Sequence, residues 1–196
     1  MKILLTTLNS QYIHSNLALR YLYESAGIYR GFLEMKEYTI NNDDMSVYID
    51  ICRGGYDAVC FSVYIWNVSK IVSLIRSLKK TDPAMKIIVG GPEVSYEPES
   101  FLEKCPETDL ILVGEGDTSF PAMLKMLVEG PWDPPADRLM KSELPDPESG
   151  VRLKNRYKKR DSFIPKDDNI GEVVITRQYI EGNGGPQITL RGQYLQ

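Results

Sequence analysis

Asp57-Ala58-Val59-Cys60-Phe61-Ser62-Val63 reads as a strand with a continuous apolar centre, the pattern of a strand covered on both faces. Directly after it, Val68, Ile71, Val72, Ile75 and Leu78 recur at the spacing that puts them on one side of a helix. Asn67 stands at its N-cap position, and Asp82-Pro83 ends it. Residues 85–89 then form a second apolar strand. Strand, helix and strand in so short a span imply a right-handed crossover between parallel neighbours.

The same alternation extends in both directions. Upstream, residues 2–6 read as a first strand, 16–27 as a helix and 34–40 as a more polar strand suited to a sheet edge. Residues 45–53 read as a short helix ended by Gly54-Gly55. Downstream, residues 98–104 form a short helix and 109–113 a fifth strand. A last helix over 118–128 carries Phe120, Leu124, Leu127 and Val128 along one side. The fold class is therefore α/β, a doubly wound, flavodoxin-like (Rossmann-like) parallel sheet of five strands. Its expected order is 2-1-3-4-5, with the switch point between strands 1 and 3. Ligands of such sheets sit at the carboxyl ends of the strands, here over strands 1, 3 and 4.

After Gly130 the composition changes. Pro131, Pro134, Pro135, Pro145 and Pro147 suggest a linker draped over a surface, and residues 152–160 a solvated basic segment. The domain division is accordingly 1–130 for the α/β domain and 131–196 for linker and irregular tail. Two β-prone pieces in the tail, 172–176 and 187–190, flank Gly182-Asn183-Gly184-Gly185 and leave open either a hairpin or disorder.

The composition is that of a soluble globular protein, with 42% hydrophobic and 26% charged residues. A net charge of −4 argues against a nucleic-acid surface, and no apolar run is long enough to span a bilayer. The expected location is the cytoplasm. Cys52, Cys60 and Cys105 have neither disulfide nor metal-ligand spacing, so they read as small hydrophobes.

Four turns carry the chemistry. The loop after strand 1, from Leu8 through Asn9, Ser10, Gln11, Tyr12 and His14 to Ser15, is rich in amides and hydroxyls that suit an uncharged polar ligand. The alternative reading of this segment is a plain surface loop in which Ser15 caps the next helix. His14, the sole histidine, reads as a hydrogen-bonding or packing residue rather than a metal ligand. After strand 3, Ser62, Val63, Tyr64, Ile65, Trp66 and Asn67 place large apolar groups where a strand opens to solvent. A ligand, a partner domain or a neighbouring loop would cover them, and a flat macrocycle suits such a rim. Gly90-Gly91-Pro92-Glu93 after strand 4 allows close approach of a backbone or a ligand. Gly114-Glu115-Gly116-Asp117 after strand 5 resembles it, with Asp117 or Thr118 available as helix cap. None is a GxGxxG or Walker loop, and no catalytic triad is present. These residues point to binding more than to catalysis.

The segments 3–7, 61–67, 89–93 and 113–117 together resemble the N-terminal cobalamin (B12)-binding domain of radical S-adenosylmethionine enzymes. The relatives include methyltransferases and the anaerobic magnesium-protoporphyrin monomethyl ester oxidative cyclase. Ser62-Val63-Tyr64 is similar to the family's Ser-x-Leu element, and Gly90-Gly91 matches its Gly-Gly element. The Asp-x-His-x-x-Gly loop that supplies a cobalt ligand in many B12 domains is missing, since Asn9-Ser10-Gln11 stands near its place and His14 is out of phase. The resemblance implies cobalamin bound base-off, without a histidine on cobalt, the nucleotide tail beside strands 1 and 3. It also implies that S-adenosylmethionine and a [4Fe–4S] cluster belong to a catalytic domain elsewhere in a parent protein, because the chain has no Cys-x-x-x-Cys-x-x-Cys. The competing reading is a flavodoxin-like protein-interaction module docking through Tyr64, Ile65 and Trp66. Receiver-type phosphorylation and flavodoxin-type flavin binding lack their acidic and phosphate-cradling residues.

Overall fold

A computed structural model describes residues 1–10 and 16–142, together with the backbone of Val174–Thr176 and Thr189–Arg191. The strands are β1 (Ile3–Asn9), β2 (Leu33–Thr39), β3 (Ala58–Ser62), β4 (Lys86–Gly90), β5 (Leu110–Val113) and β6 (Leu139–Lys141). Between them run α1 (Leu17–Ser25), a 3-10 turn (Gly27–Phe32), α2 (Asp44–Gly54), α3 (Val68–Thr81), α4 (Pro92–Tyr96), α5 (Pro98–Lys104) and α6 (Gly116–Glu129). All six strands are parallel, in the order β2-β1-β3-β4-β5-β6. The doubly wound architecture and the 2-1-3-4-5 order hold, and β2 is indeed an edge.

Strand alternation divides the core into two layers. Leu4, Val59, Phe61, Ile87, Val89 and Ile111 face α2, α3 and α5. Ile3, Leu5, Ala58, Cys60, Ile88, Leu110 and Leu112 face α1 and α6. The two helices of that second layer are unequally seated. α6 buries Ser119, Phe120, Met123, Leu124 and Leu127, whereas α1 buries only Leu19.

Several expectations change. The proline-rich segment is not only a linker: it adds β6, in register with β5 through Ile111 and Leu139. Arg138 pins it, turning through φ 59° and donating from its guanidinium to the carbonyls of Pro106 and Thr108 at 2.9 and 2.8 Å. Gly90-Gly91-Pro92-Glu93 is not a bare turn, because Pro92 starts α4. Neither Asp117 nor Thr118 caps α6, which starts at Gly116 with Glu115 at the N-cap position and Asp117 in its first turn. Asn16, not Ser15, caps α1 by accepting from the Leu19 N–H at 3.2 Å. Gly55 ends α2 in the left-handed conformation, as the paired glycines indicated.

The chain divides into compact units at Met1–Pro145 and Asp146–Gln196. In the second unit, β7 (Val174–Thr176) pairs antiparallel with β8 (Thr189–Arg191). The basic segment at 152–160 lies outside the described residues.

Candidate functional site

A cleft of about 260 Å³ opens at the carboxyl ends of the strands, beneath α1 and beside α6. Its floor is made by Leu5, Cys60, Ile88 and Leu112, one from each of β1, β3, β4 and β5, and Phe120 closes one side. Gly90 stands two residues beyond Ile88, on the same face of β4, and its missing side chain leaves the floor open; a Cβ there would reach only ordinary contact with Leu112 at 3.6 Å. Burial pushes the Cys60 thiol up to about 12, so it stays protonated and adds to the apolar floor. The cleft exists because α1 carries Ala18 and half-buried Leu22 over it instead of packing fully onto the sheet.

The turns after β3, β4 and β5 converge on this cleft. Ser62, Tyr64, Gly90, Gly91, Pro92, Gly114, Glu115 and Gly116 all line it, with Tyr21 and Asp117 at its mouth. The Tyr21 hydroxyl donates to Asp117 Oδ2 at 3.2 Å, joining α1 to α6. A neighbouring groove of about 430 Å³ shares Tyr64 and Pro92 and adds Ile65, Trp66, Glu93 and Tyr96. Tyr64 and Trp66 stack there with centroids 4.5 Å apart and rings 6° from parallel. Ile65 and Tyr96 are 75% and 85% exposed, so the rim presents real apolar area to solvent.

Other expected residues hold the rim instead of forming it. Asn67 is fully buried, and its side chain does not cap α3. It accepts from the Tyr64 N–H at 2.8 Å and donates to Thr7 Oγ1, the Leu8 carbonyl and the Ser62 carbonyl at 3.2, 3.0 and 3.3 Å. One amide thus ties the ends of β1 and β3 together at the switch point. Leu8 itself is buried in the α3 layer. Asn9 donates to Glu37 at 2.7 Å, and the Asn16 amide nitrogen lies 3.3 Å from Asn9 Oδ1 and 3.4 Å from the Tyr64 hydroxyl. Ser10 is exposed, while Gln11, Tyr12 and His14 lie outside the described residues.

Gly91 serves a backbone, as one of its two readings allowed. Its φ is 110°, and a Cβ would stand 2.5 Å from the Val63 carbonyl oxygen. Ser95, which sequence reasoning missed, donates to the Gly91 carbonyl at 2.8 Å and accepts from the Gly114 N–H at 3.1 Å, so it bridges the turns after β4 and β5. A hydroxyl three residues beyond a helix-starting proline was the available signal. The cleft wall from α1 was also missed, although Ala18, Tyr21 and Leu22 fall at helical spacing.

A family model of the B12 binding domain matches residues 3–124. The chain belongs to the B12 binding domain family. This B12 binding domain is 34% identical over 68 residues to the 2-(S-pantetheinyl)-carbapenam-3-carboxylate methyltransferase of Streptantibioticus cattleyicolor. It is 32% identical over 68 residues to the cobalamin-dependent radical SAM methyltransferase TokK of Streptomyces tokunonensis. Each match covers 35% of this chain and only 10% of the relative. Among solved structures it is similar to apo OxsB, a cobalamin-dependent S-adenosylmethionine radical enzyme. That superposition covers 64% of this chain and 18% of the other, at 18% identity and a TM-score of 0.51, and it speaks to the fold alone.

The cleft's volume falls just below the roughly 300–1,000 Å³ of pockets that enclose a whole drug-sized ligand, which is room for a ring-sized group and too little for a macrocycle. No helix among the described residues is long and apolar enough to cross a membrane, and none of their His, Cys, Asp and Glu side chains cluster as a metal site.

Proposed function

We propose that this domain binds cobalamin base-off and presents it to a radical S-adenosylmethionine catalytic domain for methyl transfer. The observation that carries the reading is the single cleft under α1, lined by residues of three separate strand-end turns and adjoined by an apolar rim. The nucleotide tail enters that cleft, with Leu5, Cys60, Ile88, Leu112 and Phe120 around the base and Ser62 and Gly90 beside it. The corrin lies over the turns after β3, β4 and β5, against the Tyr64–Trp66 stack and Glu93. Removal of the base from cobalt follows from burying it in the cleft, and no Asp-x-His-x-x-Gly loop offers a histidine in exchange.

Cobalamin supplies the methyl carrier, and the protein supplies binding and orientation. Both curated relatives are methyltransferases, which favours methyl transfer over oxidative cyclisation. The cluster and S-adenosylmethionine belong to the catalytic domain, which the exposed side of Ile65 and Tyr96 faces. The test is an absorbance titration of the full 196-residue chain with hydroxocobalamin, followed by gel filtration. A red shift or band change that saturates at one equivalent, with colour co-eluting with protein, supports the reading. An unchanged spectrum and colourless protein overturn it.

A further inference from the structure

We infer that the α1–α6 cleft selects corrinoids by their lower base, admitting an apolar benzimidazole and discriminating against a purine. The inference rests on the cobalamin reading above and goes beyond it, because it concerns which member of the corrinoid class the domain takes.

The argument is one of hydrogen-bond satisfaction. The floor and inner walls of the cleft are Leu5, Cys60, Ile88, Leu112, Leu22 and Phe120. Five offer only hydrocarbon. The sixth is a thiol held protonated by burial, a weak donor and weak acceptor. The polar groups of the cleft stand apart from this floor. Tyr21 and Asp117 are engaged with each other at the mouth, where both are exposed. The Ser62 carbonyl accepts from Thr7 Oγ1 at 2.8 Å and from the Asn67 amide at 3.3 Å. The Gly91 carbonyl accepts from the Ser95 hydroxyl, and the Gly114 N–H donates to the Ser95 oxygen. The Ser62 and Gly91 carbonyls are therefore spent on holding the turns together, which leaves the Ser62 hydroxyl as the polar side chain beside the apolar floor.

A benzimidazole with methyl substituents has no exocyclic donor and buries hydrocarbon against hydrocarbon. An adenine in the same place brings an exocyclic amine and two further ring nitrogens that lose water, more polar groups than the Ser62 hydroxyl alone can satisfy. A buried polar group left without a partner costs enough to weaken binding by roughly tenfold or more.

The test is equilibrium dialysis of the full chain against three probes: hydroxocobalamin, the corrinoid with adenine as lower base, and cobinamide, which has no lower base. The expected order is hydroxocobalamin tightest, with the adenine corrinoid weaker by roughly tenfold and cobinamide weaker as well. Equal retention of the benzimidazole and adenine forms, or preference for adenine, overturns the selectivity while leaving cobalamin binding intact. Cobinamide bound as tightly as hydroxocobalamin overturns it too, because the base is then not in the cleft. Retention of none of the three overturns the selectivity together with the proposed function.

Discussion

Gly116 and Leu22 meet across the cleft wall so closely that a Cβ built on Gly116 would clash with Leu22 Cδ2. The clash is with the end of a flexible side chain, and the adjoining free space is the cleft. Gly116→Ala therefore rotates Leu22 into the ligand space without disturbing the sheet. The substitution favours the first turn of α6 by removing a helix glycine. Thermal unfolding is expected unchanged or slightly higher, while hydroxocobalamin affinity falls roughly tenfold, as expected for a modest overpacking. Differential scanning calorimetry and a spectral titration on the same preparation separate the two effects.

Asn67 provides a second prediction. Its amide donates to three oxygens and accepts from one N–H at the point where β1 and β3 part. Asn67→Ala strands the Leu8 carbonyl and the Tyr64 N–H and costs about 2–3 kcal/mol. Asn67→Asp keeps the shape but turns a carboxylate toward the Leu8 and Ser62 carbonyls, so it destabilises at least as much. Urea unfolding of both variants gives the order, and a neutral Asn67→Ala would contradict the bridging role.

Gly91 makes the third. Gly91→Ala combines a strained positive φ with a close approach to the Val63 carbonyl, and is expected to cost about 2–4 kcal/mol. Gly90→Ala has an ordinary φ and room at Leu112, so it leaves stability within about 1 kcal/mol. The neighbouring glycines should thus separate cleanly in urea midpoints.

The fourth concerns pH. Asp50 accepts from the Tyr38 hydroxyl at 2.6 Å and from Lys36 at 2.9 Å, and these bonds, the tyrosine foremost, hold its carboxyl below the usual range. A depressed folded-state value contributes stability above the unfolded value near 4, lost as pH falls through the folded one. Lys36 is raised by the same pair, and its share is lost only as pH rises past the ordinary lysine range. Asp50→Asn should therefore lower the melting temperature at pH 7 and flatten its decline below about pH 4. A parallel decline in both proteins would contradict this.

The architecture was legible because β1, β3 and β4 carry uninterrupted apolar runs and α3 a clear periodic face, so local pattern and tertiary burial agree. β6 was not, because three residues after Pro134-Pro135 show too little alternation, and what holds them is Arg138 reaching the carbonyls of Pro106 and Thr108. The rim turns were readable from their glycines and aromatics. The division of labour within them was not: Asn67 and Gly91 look like rim residues in sequence, yet one is buried glue and the other yields to the Val63 carbonyl. The cleft itself arises from something missing, the shallow seating of α1, and an absent contact leaves only a faint trace in a helix with exposed Leu17 and Tyr21.

Electron paramagnetic resonance of the bound cob(II)alamin form probes the base-off, histidine-free arrangement most directly. A spectrum without nitrogen splitting on the cobalt lines is the predicted result, with the base withdrawn into the cleft and no imidazole in its place. A three-line splitting from an axial nitrogen, whether from the cofactor's own base or from His14, would contradict the account.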